Sequence, residues 1–219
     1  MTEQNQQQDT LQEVKDTRQL MERSSRFISL SGLSGVAAGI FALIGAYIAR
    51  YVILKNYYVV NIRGNYPENS LPSFEKLKIQ LLILALVVFA ATSVTAFFLT
   101  RRKANKQKVS LWGHTSRRLF WNMAIPLTAG GLFVLGMLQY NDWSYVAPAC
   151  LVFYGLALVN ASKYTLTDIR YLGYCEIIIG LINMYWIGYG LYFWALGFGV
   201  LHIIYGIVMW WKYERTSEV

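Results

Sequence analysis

Long apolar runs separated by short polar or basic segments set the pattern of this chain. Six runs stand out, at 27–54, 79–100, 119–139, 143–161, 171–188 and 191–211. A helix needs about 20 apolar residues to cross a hydrocarbon core of roughly 30 Å. The pattern therefore predicts an all-α, polytopic transmembrane helix bundle of six spans. The first run is longer than a crossing requires, which predicts a tilt or an outward projection. Six spans leave no room for a second domain. The expected division is a polar segment at 1–26, a transmembrane domain at 27–211 and a tail at 212–219.

The last two runs are the most informative. From Tyr171 to Trp211, 41 residues hold only two side chains that ionise near neutral pH, Glu176 and His202. One helix of that length would reach roughly 60 Å. The stretch must therefore fold back, and Gly188-Tyr189-Gly190 marks the turn. Glu176 lies 13 residues before Tyr189 and His202 lies 13 after it, which predicts equal depth in an antiparallel hairpin. Gly173 and Gly180 flank Glu176 at helical spacing, with Asn183 on the same face. Gly199 and Gly206 flank His202 in the same way. Small residues let helices approach closely, so both stripes are expected to face protein, either each other or a third helix. Ser31, Gly35 and Gly39 form a similar stripe in the first span, suited to packing in the bundle or in a homo-oligomer.

Ionisable residues inside a membrane are costly and read first as functional. Three readings of this pair stay open. One is a helix–helix hydrogen bond that fixes packing. A second is a proton or ligand site, as in a small proton-coupled transporter using Glu176 and His202. The third is an intramembrane serine hydrolase using Ser34 and His202. Here Gly32-Leu33-Ser34-Gly35 resembles the G-x-S-G nucleophile motif of rhomboid intramembrane proteases. That resemblance implies that His202 takes the serine proton. The chain departs from the motif's setting: the serine is in the first span, the site would face the cytoplasm, and Gly206 is four residues after His202 rather than three.

Composition agrees with a membrane location: 55% of residues are hydrophobic and 15% charged, against roughly 25% charged in soluble domains. The net charge of +8 raises nucleic acid as a partner, but the distribution of charge argues against it. Of the 20 Lys and Arg, only Arg50, Lys55, Arg63, Lys76 and Lys78 fall on one side of the predicted membrane. The other fifteen fall on the side of the termini, which the positive-inside rule places in the cytoplasm. The inner segment at 101–118 has seven basic residues and no acid. Arg101, Arg102, Lys103, Arg117 and Arg118 suit anionic lipid head groups at about 1 kcal/mol each near the surface. An ordinary positive-inside anchor explains them equally well. No motif implies a cofactor. Cys150 and Cys175 are predicted at different depths, so they read as free thiols without metal-site spacing. The outer loop at 55–78 includes a segment at 56–62 that reads as a short strand or an interfacial segment, and the loop is expected to cap the bundle or bind something outside. Residues 10–26 suit a short amphipathic helix or a polar extension of the first span.

Residues 21–35, MERSSRFISLSGLSG, together with the six-span layout, resemble a family of uncharacterised bacterial integral membrane proteins. The resemblance implies a multi-pass protein of the bacterial inner membrane and brings no activity or site residue with it. The expected function is a non-enzymatic module that binds a small ligand, a lipid or a partner protein, as a sensor or accessory subunit.

Overall fold

The computed structural model describes residues 32–55, 74–106, 113–140 and 142–213. All regular structure among them is helical. The helices are α1 (Gly32–Leu54), α2 (Phe74–Lys106), α3 (His114–Gln139), α4 (Val146–Ala161), α5 (Ile169–Tyr185) and α6 (Gly190–Tyr213). Five of them, α4 with its leading 3-10 turn Trp143–Tyr145 included, are long and apolar enough to cross a membrane. The exception is α5, whose 17 residues reach about 26 Å, the lower edge of a crossing. It stops three residues short of the expected 188 because the chain already turns after Tyr185. Gly188 has φ 99° there, a conformation that glycine adopts without a Cβ clash. The amphipathic segment at 10–26, Ser31 and the strand expected at 56–62 lie outside the described residues.

Lipid tails are as apolar as leucine, so helices in a membrane associate through close packing rather than hydrophobic expulsion. Two glycine seams supply that packing. In the first, α5 lies on α4: a Cβ on Gly155 would sit 2.6 Å from the Gly173 carbonyl oxygen. In the second, α6 lies on α1: a Cβ on Gly39 would sit 2.5 Å from the Gly199 carbonyl oxygen, and one on Gly206 2.7 Å from that of Gly32. Gly35 belongs to the same seam, against the Gly206 Cα. The two predicted stripes of the hairpin thus meet third helices and not each other. The arms α5 and α6 share few contacts.

The result is two halves. α3 packs on α4 in one, and α2 leans on α1 in the other. The halves meet along α6. Leu158, Leu166, Ile169, Leu172 and Met209 form an apolar cluster at one end. Beside it, Lys212 Nζ and the Tyr213 hydroxyl donate to Asp168 Oδ2 at 2.6 and 3.0 Å. Partial burial works to raise the Asp168 pKa, but the Lys212 and Tyr213 hydrogen bonds outweigh it and hold the carboxyl below its ordinary value. Within the α3–α4 half, the Asn160 amide donates to the Asn122 carbonyl at 3.0 Å and ties α4 to α3. The Asn122 side chain itself bonds back to Arg118 within α3. At the opposite end, Arg50 Nε donates to the Tyr192 hydroxyl at 3.3 Å and ties α1 to α6.

Two substitutions test the seams. Gly206→Ala puts a methyl group against backbone and is expected to destabilise the bundle by about 1–3 kcal/mol. Gly131→Ala, where a Cβ meets nothing within 4 Å, is expected to be neutral or stabilising by up to about 1 kcal/mol. Reversible unfolding in mixed micelles measures both.

Candidate functional site

Helical periodicity carries Glu176 into the interior. Ile169, Leu172, Gly173, Glu176, Gly180 and Asn183 recur at three- or four-residue intervals and form the buried face of α5. Glu176 and Asn183 are both 0% exposed.

His202 arrives by a different device. The segment Ala195–Leu201 of α6 is a π-helix, in which hydrogen bonds span five residues. His202 is five residues after Gly197, and its Nδ1 lies 3.0 Å from the Gly197 carbonyl oxygen. Regular α-helical spacing would put His202 on the Gly199–Gly206 line. The glycines meet α1, while the imidazole meets Tyr154 of α4 and Glu176 of α5.

The ring's hydrogen bonds fix its tautomer. A carbonyl oxygen only accepts, so Nδ1–H donates to Gly197. The Tyr154 hydroxyl then donates to bare Nε2 at 2.8 Å. Tyr154 and Phe198 also flank the imidazole as aromatic neighbours. Both ring nitrogens are therefore engaged. The two hydrogen bonds of the ring involve Tyr154 and Gly197, not Ser34.

Glu176 is the unsatisfied member. Its Oε1 lies 3.4 Å from His202 Nδ1, within ion-pair distance but poorly placed for a hydrogen bond. Neither carboxyl oxygen has a hydrogen-bond partner among the described residues. Oε2 presses onto Gly197, where any Cβ would overlap it. The two amide atoms of Asn183 are also without hydrogen-bond partners among the described residues. The structure thus brings Glu176 and His202 together and leaves Asn183 farther along α5, close to Gly190. A buried carboxyl with no hydrogen-bond partner is a costly group in a membrane. It lacks the surroundings of a metal site: among the described residues, no three His, Cys, Asp or Glu side chains converge.

A second feature lies at the end of the bundle where the chain turns at 186–189. Because α2 leans chiefly on α1, a cleft of about 480 Å³ opens between it and the other helices. Gly45 and Ala49 of α1, Leu81 and Ala85 of α2, Val134 and Leu138 of α3, Cys150 of α4, and Trp194 of α6 are among its walls. Neither Glu176 nor His202 lines it. An aromatic row connects the two places: Trp194 packs on Phe198, and Phe198 stacks on His202. Cys150 and Cys175 are both free thiols. Arg101, Arg102, Arg117 and Arg118 are exposed and Lys103 is half-buried, at the opposite end of α2 and the start of α3.

Tyr154, Gly197 and the cleft escaped the sequence analysis. Tyr154 carried a usable signal: it sits eight residues into α4, away from interfacial depth, where a tyrosine hydroxyl needs a protein partner. Gly197 carried none, since it falls outside the Gly199–Gly206 spacing.

The unequal satisfaction of the pair predicts unequal mutants. His202→Leu strands the Tyr154 hydroxyl and is expected to cost about 1–3 kcal/mol. Glu176→Met removes a buried carboxyl that makes no hydrogen bond and is expected to be neutral or stabilising. Unfolding midpoints of the two variants decide this; a Glu176→Met loss as large as that of His202→Leu contradicts it.

No family model matches this chain, and no curated protein or solved structure matches it.

Proposed function

We propose that this chain is a non-enzymatic membrane module that takes the apolar part of a lipid or small amphiphile into the cleft beside α2. The observation that carries the reading is the cleft itself. Its volume of about 480 Å³ falls within the roughly 300–1,000 Å³ of ligand sites, which are likewise mostly apolar. Its walls are small or apolar side chains from five helices. One wall, α2, leans chiefly on α1. The protein sits in the bacterial inner membrane with six spans and both termini in the cytoplasm. Supporting this are the one-sided distribution of Lys and Arg, the resemblance of residues 21–35, and exposed aromatic side chains at both ends of the bundle, such as Tyr185 and Trp211. Within this topology Arg101 and Arg118 meet anionic head groups of the inner leaflet. Occupancy of the cleft, passed through Trp194 and Phe198, suits a sensor or accessory subunit.

One observation favours a second reading, a proton-coupled carrier: the carboxyl of Glu176 is fully buried with both oxygens unpaired. Such a group is expensive in a membrane and is kept where it moves a proton.

Native mass spectrometry after detergent exchange tests the first reading. The wild type is expected to retain one amphiphile per chain, and Ala85→Phe combined with Val134→Phe, which fills the cleft, to lose it. Equal retention by both proteins, or none by the wild type, rejects the cleft as a ligand site. Proteoliposomes holding a pH-sensitive dye test the second reading. Carrier activity predicts a proton flux that Glu176→Gln abolishes; a flux insensitive to Glu176→Gln rules out that role.

A further inference from the structure

We infer that Asn183 positions a water-filled proton path to Glu176, a path that opens toward the turn at 186–189 and is closed toward the other end of the bundle. The inference rests on the reading of Glu176 as the proton-bearing group of a carrier.

Where the two arms of the last hairpin touch, they keep a regular register. Glu176 Oε2 presses onto Gly197, and the Asn183 amide atoms stand 3.9 and 4.0 Å from where a Cβ on Gly190 would sit. Seven residues separate the polar pair on α5, and seven separate the two glycines on α6. Each polar side chain thus faces a residue that has none. Gly180, midway along α5, adds no side chain to block the line between them; it packs on Leu151 and Val152 of α4. Seven residues of helix cover about 10 Å.

Glu176 and Asn183 are both 0% exposed, and their four polar atoms meet no hydrogen-bond partner among the described residues. Buried polar side-chain atoms nearly always have a partner, either protein or ordered water. A carboxylate accepts, and an amide both accepts and donates. One file of about three waters at hydrogen-bond spacing would cover that distance and serve both ends. The amide does not titrate; its part is to hold the file in place. The step is proton transfer alone. A hydronium at the mouth gives up one proton, hopping leaves each water neutral, and the Glu176 carboxylate becomes a carboxylic acid.

The surroundings make the path one-sided. Asn183 lies two residues before the end of α5 at Tyr185. Gly190 lines the cleft together with Ala147, whose Cβ is 3.2 Å from where a Gly190 Cβ would stand. Gly190 thus borders both the cleft and the Asn183 amide. Toward the other end, Glu176 meets His202, whose ring nitrogens are engaged by Tyr154 and Gly197. Farther that way lies the apolar cluster that includes Ile169, Leu172 and Met209. Among the described residues, the titratable groups facing Glu176 are His202 of α6 and Tyr154 of α4.

Time-resolved infrared spectroscopy of the full-length protein in sealed proteoliposomes tests this. The readout is the carboxylic acid C=O band that Glu176→Gln removes, followed after an acid jump on one side of the membrane. A protease-sensitive tag at the C-terminus tells the sides apart. In the wild type the band is expected to rise at once after acidification of the 186–189 side, and only with carrier turnover after acidification of the other. Asn183→Leu should slow the fast rise by at least about tenfold without changing its final amplitude, and Asn183→Gln should restore it. Gly190→Leu, which puts a side chain between Ala147 and the Asn183 amide, should slow it as well. A loss of stability alone would change the amplitude and not the rate. An equally fast rise from either side overturns the one-sided path. An unchanged rate in both Asn183→Leu and Gly190→Leu overturns the role of Asn183. A Glu176 band that responds to neither side overturns the proton-carrier reading itself.

Discussion

Backbone-to-backbone contact at the two glycine seams is the constraint on which the rest of this structure depends. Apolar side chains gain little by leaving lipid for one another, so helices stay together only where their surfaces come very close. Gly155 with Gly173 brings α4 and α5 to that distance, and Gly39 and Gly206 do so for α1 and α6. Each seam commits both of its helices to each other. The remaining two helices attach from outside: α3 finds a broad surface on α4, while α2 leans chiefly on α1. The cleft is the space left by that geometry. It exists because the tightest contacts are made elsewhere.

The same seams explain why the costly pair meets as it does. Close packing of α5 on α4 drives Glu176 inward, where it is fully shielded. Close packing of α6 on α1 would turn His202 toward α1 if α6 were regular throughout. The imidazole, which follows directly on the π-segment Ala195–Leu201, nevertheless faces Tyr154 and Glu176. Such irregular turns recur at functional sites. Here the imidazole ends fully hydrogen-bonded and the carboxyl does not. The histidine therefore reads as an organising residue. The glutamate is a group the fold tolerates rather than one that holds it together.

Much of this was legible in the sequence, for specific reasons. Apolar runs of spanning length located the helices, because backbone polar groups in lipid must be satisfied within the segment. The turn at Gly188 followed from the length of the charge-free stretch. The depth match of Glu176 and His202 followed from counting outward from Tyr189, since helical rise is regular. The facing of the stripes did not follow. Periodicity identifies which residues share a face but not which neighbour that face meets, and each stripe met a third helix. The role of Gly197 was hidden because its position relative to His202 depends on a π-turn, and nothing in the local sequence announces one. The cleft was hidden too. It is a product of how α2 is attached, and no single segment records that.

The central claim is that the cleft beside α2 takes a discrete apolar ligand rather than bulk lipid. Trp194 lies in its wall, so quenching of that residue by a brominated long-chain fatty acid reports occupancy directly. The measurement is the emission lost on titration in wild type minus that lost in Trp194→Phe. The account predicts a Trp194 component that saturates near one ligand per chain and vanishes when Ala85→Phe and Val134→Phe fill the cleft. A component that rises in proportion to the brominated fraction without saturating, and persists in the filled variant, would contradict it.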